Sequence, residues 1–158
     1  MSAISDDLTS AIQDRMSALS LTIGGQDVTV MRRKILEYDE AIDGALPVLL
    51  VACSGKPEST TPFSIDAQGT RYDAVVYRVN LGLFAAGNRD GVSNESDLHL
   101  ARQKMRKALE TRGADLPDNT LRISPAPDSP ILEPQAWPEN YDVSAMSGTV
   151  TIAEKTGN

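Results

Sequence analysis

Residues 72–84 read YDAVVYRVNLGLF, and this stretch decides the fold. Val75, Tyr77, Val79, Leu81 and Leu83 fall on one side of a two-residue period, with Ala74, Val76, Arg78, Asn80 and Gly82 on the other. Successive side chains of a strand point to opposite faces, so this alternation specifies a half-buried β-strand. A helix would scatter the same five apolar residues around its axis. The remainder of the chain reads as material that covers the apolar face of this strand and pairs with its edges.

Upstream, LPVLLVA at 46–52 is a short, nearly continuous apolar run. It fits a strand buried on both faces, with Pro47 confined to its start or to an edge. Residues 28–36 alternate less cleanly around the basic cluster Arg32, Arg33 and Lys34 and predict another strand. The acidic segment 37–44 predicts a turn or short helix. Between the two apolar strands, SGKPESTTPFSIDAQG at 54–69 holds two prolines and a terminal glycine, which predict a long, flexible hairpin loop.

Two helices flank this block. Ile4, Leu8, Ala11, Ile12 and Leu19 lie near one stripe of a helix over 5–19, with Ser5 as N-cap and Asp6 and Asp7 in its first turn. The adjacent Gly24 and Gly25 end the pattern. A second helix follows the turn cluster NRDGVSNESD, capped by Ser93 or Asn94. Leu98, Ala101, Met105, Ala108 and Leu109 recur at helical spacing, Arg102, Lys104, Arg106 and Lys107 form its wet side, and Gly113 lies just past its end.

Residues 121–124 predict a short strand, and SPAPDSPILEPQAWP at 124–138 forms a proline-rich arm. The last strand, YDVSAMSGTVTI at 141–152, changes phase near Ser147 and Gly148, which predicts a bulge or bend there. The tail 154–158 is expected to be disordered. The pattern as a whole is one α+β domain over 1–158, with a mixed, mainly antiparallel sheet of about four or five strands and two helices on one face.

Composition narrows the function classes. The 158 residues include a single cysteine, Cys53, which excludes an internal disulfide and fits a reducing compartment. The N-terminal MSAISDD carries no basic region or long apolar run, so it does not read as a secretory signal, and no stretch approaches the ~20 apolar residues of a membrane span. A net charge of −7 argues against tight nucleic-acid binding. The charge is uneven: Arg102, Lys104, Arg106, Lys107 and Arg112 cluster, whereas the region past Gly113 is acidic. Such patches are either solvated surface or complementary surfaces for head-to-tail association.

No stretch carries a catalytic signature. Cys53 and the lone histidine His99 could form a nucleophile and base, but no known nucleophile turn surrounds them, and Cys53 reads as a small buried hydrophobe. Cys53-Ser54-Gly55 lacks the leading glycine of a GxSxG elbow. One histidine and one cysteine do not supply a zinc site. A calcium loop over 86–97 would place Gly91 at the turn and Asn88, Asp90 and Asp97 at ligand positions, yet Ala86 occupies the first, where Asp is required. No cofactor is expected. The arm has PxxP-like spacing, which SH3-type domains read, but Ile131, Leu132 and Trp137 are apolar anchors for docking on its own domain or on a neighbour.

The order of these segments resembles the tail-terminator (tail-completion) proteins of long-tailed bacteriophages. The resemblance lies in VTVMRRKILEYDEAIDGALPVLLVACSG, the connector, YDAVVYRVNLGLF, the helix ESDLHLARQKMRKALETR, the tryptophan-containing segment and YDVSAMSGTVTI. It is one of order and pattern over most of the chain, without a diagnostic motif, and Met146 and Val150 stand where the family's last strand often has an aromatic residue. The resemblance implies a non-enzymatic virion protein of the tail or neck, assembled in the host cytoplasm. It implies a homo-oligomeric ring, usually of six, that caps the tail tube, stops its polymerisation and docks the head-side connector. DNA would only pass through its lumen, which the acidic balance suits. Arg102, Arg106, Lys107, Ile131, Leu132 and Trp137 are the expected interface residues. A neighbouring neck or head–tail joining protein, or a small ligand-binding or enzymatic domain, are the alternatives.

Overall fold

The structure, a computed structural model, describes residues 3–34, 36, 40–53, 55–87, 94–126 and 141–156, without the side chains of Ala3 and Asp43. The elements run α1 (Ala3–Ala18), β1 (Thr22–Ile23), β2 (Gln26–Asp27), β3 (Thr29–Arg33), α2 (Glu40–Asp43), β4 (Val48–Ala52), β5 (Ser59–Ile65), β6 (Arg71–Ala86), α3 (Glu95–Ala108), β7 (Thr120–Ala126) and β8 (Tyr141–Lys155). The fold is α+β with a mixed, mostly antiparallel sheet. Its path is β3-β4-β6-β8-β7, and β5 also pairs with β6, giving six strands.

The alternating stretch is the spine. β6 is bonded along one side to β8 in unbroken register from Tyr72 with Lys155 to Ala86 with Tyr141. Along its other side, residues 80–84 pair with β4 and residues 71–76 with β5. β4 and β5 thus pair with two lengths of the same edge of β6, and the Glu58 amide already bonds the Val76 carbonyl just before β5 begins. Val75, Tyr77, Val79, Leu81 and Leu83 face the main core, where they meet Leu8, Ile12 and Met16 of α1 and Ala101, Met105 and Leu109 around α3. Burying each large aliphatic side chain in this layer contributes about 1.5–3 kcal/mol. The two long helices therefore share one face, as expected.

The opposite face holds a smaller core that the sequence pattern did not separate. α2 joins the parallel strands β3 and β4 and places Ile42 against Val48, Leu50 and Phe84, with Leu36, Tyr141 and Val143 packed around them. This explains why β4 is buried at all five positions: each of its faces meets a core. Pro47 precedes β4, and its carbonyl accepts the Thr29 amide at 3.0 Å. Gly24 and Gly25, with φ of 60° and 80°, form the two-residue turn between β1 and β2, a conformation other residues adopt at a cost.

Several expectations are corrected. The segment 54–69 is not one long loop, because Ser59–Ile65 is a strand and only the turn around Asp66–Gly69 joins it to β6. Ser5 is not an N-cap. It lies inside α1, fully buried, with Oγ 3.9 Å from Cys53 Sγ and its carbonyl accepting Thr9 Oγ1 at 2.7 Å. No bulge occurs at Ser147–Gly148. β8 keeps its register against β6, and the change of phase arises because Tyr141 and Val143 face the α2 core while Met146, Val150 and Ile152 face the α1–α3 core. Glu154 and Lys155 belong to β8, and the Thr156 amide donates to the Arg71 carbonyl at 2.8 Å, so the disorder expected from 154 does not hold for 154–156, and 157–158 lie outside the described residues. Ser124 to Ala126, assigned to the proline-rich arm, complete β7.

Candidate functional site

The six expected interface residues divide. Ile131, Leu132 and Trp137 lie outside the described residues. Arg102 is not free for a partner: its Nη1 donates to the Ala145 carbonyl at 2.8 Å and to Ser144 Oγ at 3.2 Å, pinning α3 to β8. Arg106 is exposed and reaches Glu110 one turn later at 3.7 Å. Lys107 is exposed and lines a groove between the C-terminal halves of α1 and α3. Helical spacing places Arg102 on the wet side, but its long side chain reaches back to Ser144 and Ala145 of the sheet.

The groove has a volume of about 410 Å³, with Ala18, Leu19 and Ala108 in its wall and Lys104 and Lys107 at its rim. Arg15 also lines it. Its guanidinium donates to Asp115 through Nε at 2.6 Å and Nη2 at 2.7 Å, and through Nη1 to the carbonyls of Ala108, at 2.9 Å, and Thr111. This fork satisfies carbonyls that the end of α3 would otherwise leave open. Hydrogen bonding from Arg15 holds the Asp115 carboxyl below its ordinary value, against a smaller opposing effect of desolvation. Arg15 and Asp115 neutralise one another, so the two rim lysines set the charge of the groove.

A second exposed feature is the β5–β6 hairpin. Every residue of β5 is exposed, and Phe63 and Ile65 keep 54% and 63% of their surface open. The register shifts between Pro62 and Ser64, so Phe63 is the extra residue of a bulge. Asp66 shapes the turn: its Oδ1 accepts the amides of Gln68 and Thr70, each at 2.9 Å. At the base of the hairpin, Arg78 pairs with Glu58 and donates to Ser147 Oγ at 3.2 Å, while the Tyr77 hydroxyl donates to Glu154 at 2.7 Å. The arm is therefore fixed to β8 from both faces of β6. The loop reading of 54–69 hid Phe63 and Ile65, although two large apolar residues in a polar stretch were a visible signal.

The residues weighed for chemistry are dispersed. Cys53 is buried beside Ser5, whereas His99 is exposed on α3 with Nε2 3.2 Å from Gln103 Nε2. Among the described residues no group of three or more His, Cys, Asp or Glu side chains is placed to hold a metal. Asn88, Asp90 and Gly91 of the weighed calcium loop lie outside the described residues, and Asp97 accepts the Gly24 amide at 2.8 Å. Asn94 stands at the N-cap of α3 but makes no capping bond. Its Nδ2 donates instead to the Ala86 carbonyl at 3.1 Å and Asp142 at 2.9 Å, tying the helix start to β6 and β8. No described helix is long and apolar enough to cross a membrane. No protein-family model matches the sequence, and no curated protein matches it.

Proposed function

We propose that this chain is a structural assembly subunit, of the kind it resembles among phage tail terminators, which closes into a ring with copies of itself. The ring caps a tail tube and meets a head-side connector at the tail or neck of the virion. The observation that carries this reading is the β5–β6 hairpin, braced at its base by Arg78 and Tyr77 yet exposing Phe63 and Ile65. A rigid arm that presents two large apolar side chains to water is a surface for a partner. A ring of like subunits supplies one at every interface.

The test is assembly. The purified chain is expected to sediment as a closed oligomer of about six subunits, the number the tail-terminator resemblance implies, and to bind the end of a polymerised tube in negative-stain images. Lone subunits that bind a small molecule in the α1–α3 groove would favour the ligand-binding alternative.

A further inference from the structure

We propose that the hairpin tip of one copy seats in the α1–α3 groove of a second copy of this chain. The inference rests on the assembly reading and names the two surfaces that meet. Among the described residues three large hydrophobic side chains are exposed: Phe63, Ile65 and Leu100. Two are on the hairpin. The third is on α3, where Leu100, Lys104, Lys107 and Ala108 follow the spacing of one helix face. Phe63 and Ile65 are thus on the donor surface, and Leu100 lies one turn before Lys104 on the helix that lines the receiver, just outside the groove itself.

Charge selects the same pairing in a chain of net charge −7. The ammonium groups of Lys104 and Lys107 make no hydrogen bond or ion pair among the described residues, and both side chains line the groove beside Ala18, Leu19 and Ala108. Directly after Ile65 comes Asp66, whose Oδ1 is taken by the turn amides while Oδ2 has no bond among the described residues. Insertion of Phe63 and Ile65 would bring this carboxylate to the lysine rim. A volume of about 410 Å³ is within the range of sites that take a sizeable apolar group. Side-chain insertion is favoured over extension of the sheet, because Pro62 removes an amide from the edge strand and the neighbouring register shift disrupts its ladder.

Sedimentation velocity on the full chain tests this with F63S/I65S, K104E/K107E and the combination D66K/K104E/K107E, each checked for an unchanged far-UV spectrum and melting temperature. Each double variant is expected to raise the concentration for half-assembly by at least about tenfold, and D66K to restore part of the loss in K104E/K107E. If the native chain assembles and either double variant assembles equally well, the hairpin–groove contact is wrong and the ring reading stands. The contact is equally wrong if D66K gives no recovery. A native chain that stays a single subunit at every concentration removes both.

Discussion

The ring of Phe84 lies across the space that a Cβ on Gly82 would need: such an atom would come within 2.7 Å of the ring edge and 3.3 Å of Leu36. Phe84 is fully buried among Ile42, Val48 and Leu50, so the ring has nowhere to retreat. Gly82→Ala is therefore expected to destabilise the fold by about 1–3 kcal/mol, the usual cost of overpacking. Chemical denaturation measures it. In a Phe84→Ala background the added penalty should largely vanish, because contacting residues are not additive.

Arg102 and Arg106 look alike in the sequence and should behave differently. Arg102→Ala removes donors to Ser144 and Ala145 and is expected to cost about 1–3 kcal/mol, as when part-buried acceptors lose a charged donor. Arg106→Ala breaks an exposed pair with Glu110 and should change stability by less than about 0.5 kcal/mol. Equal effects in thermal melts would mean that Arg102 does not anchor α3.

The Asp115 carboxyl is held below its ordinary 3.8 by Arg15. A carboxyl depressed in the folded state adds stability that is present above its unfolded pKa and is lost as pH falls through the folded one. Stability should thus decline below about pH 4 more steeply in the native chain than in Asp115→Asn, with the difference kept small by exposure of the pair. Matching acid limbs in the two proteins would contradict this role.

Cys53 is 4% exposed and packed beside Ser5. A thiol so enclosed should react with a thiol-specific reagent only as fast as the fold opens, and promptly in denaturant. Fast labelling of the native protein would place it at the surface.

How much of this was legible depends on where burial differs between faces. β6 announced itself because one face meets α1 and α3 with large apolar residues, while the other is half-buried over much of its length and carries Arg78, Asn80 and small residues, and that contrast is written as alternation. α3 was legible for the same reason at helical period. β5 was not: with all seven residues exposed there is no contrast to record, and Pro62 argued against a strand. β8 misled because its apolar residues serve opposite cores at its two ends, which imitates a bulge. The proposed contact was half legible. Lys107 reads as an interface residue from its place in the basic cluster, whereas Phe63 and Ile65 sit in a stretch whose composition imitates a loop. The role of Arg102 depends on a tertiary approach that no local pattern encodes.

On the proposed function, this fold associates with copies of itself. The most direct measurement is the solution mass of the purified chain by light scattering across a wide concentration range. The expected result is a discrete closed multiple of the 17.0 kDa subunit, about six if the tail-terminator resemblance holds. A mass that remains at one subunit throughout would contradict it.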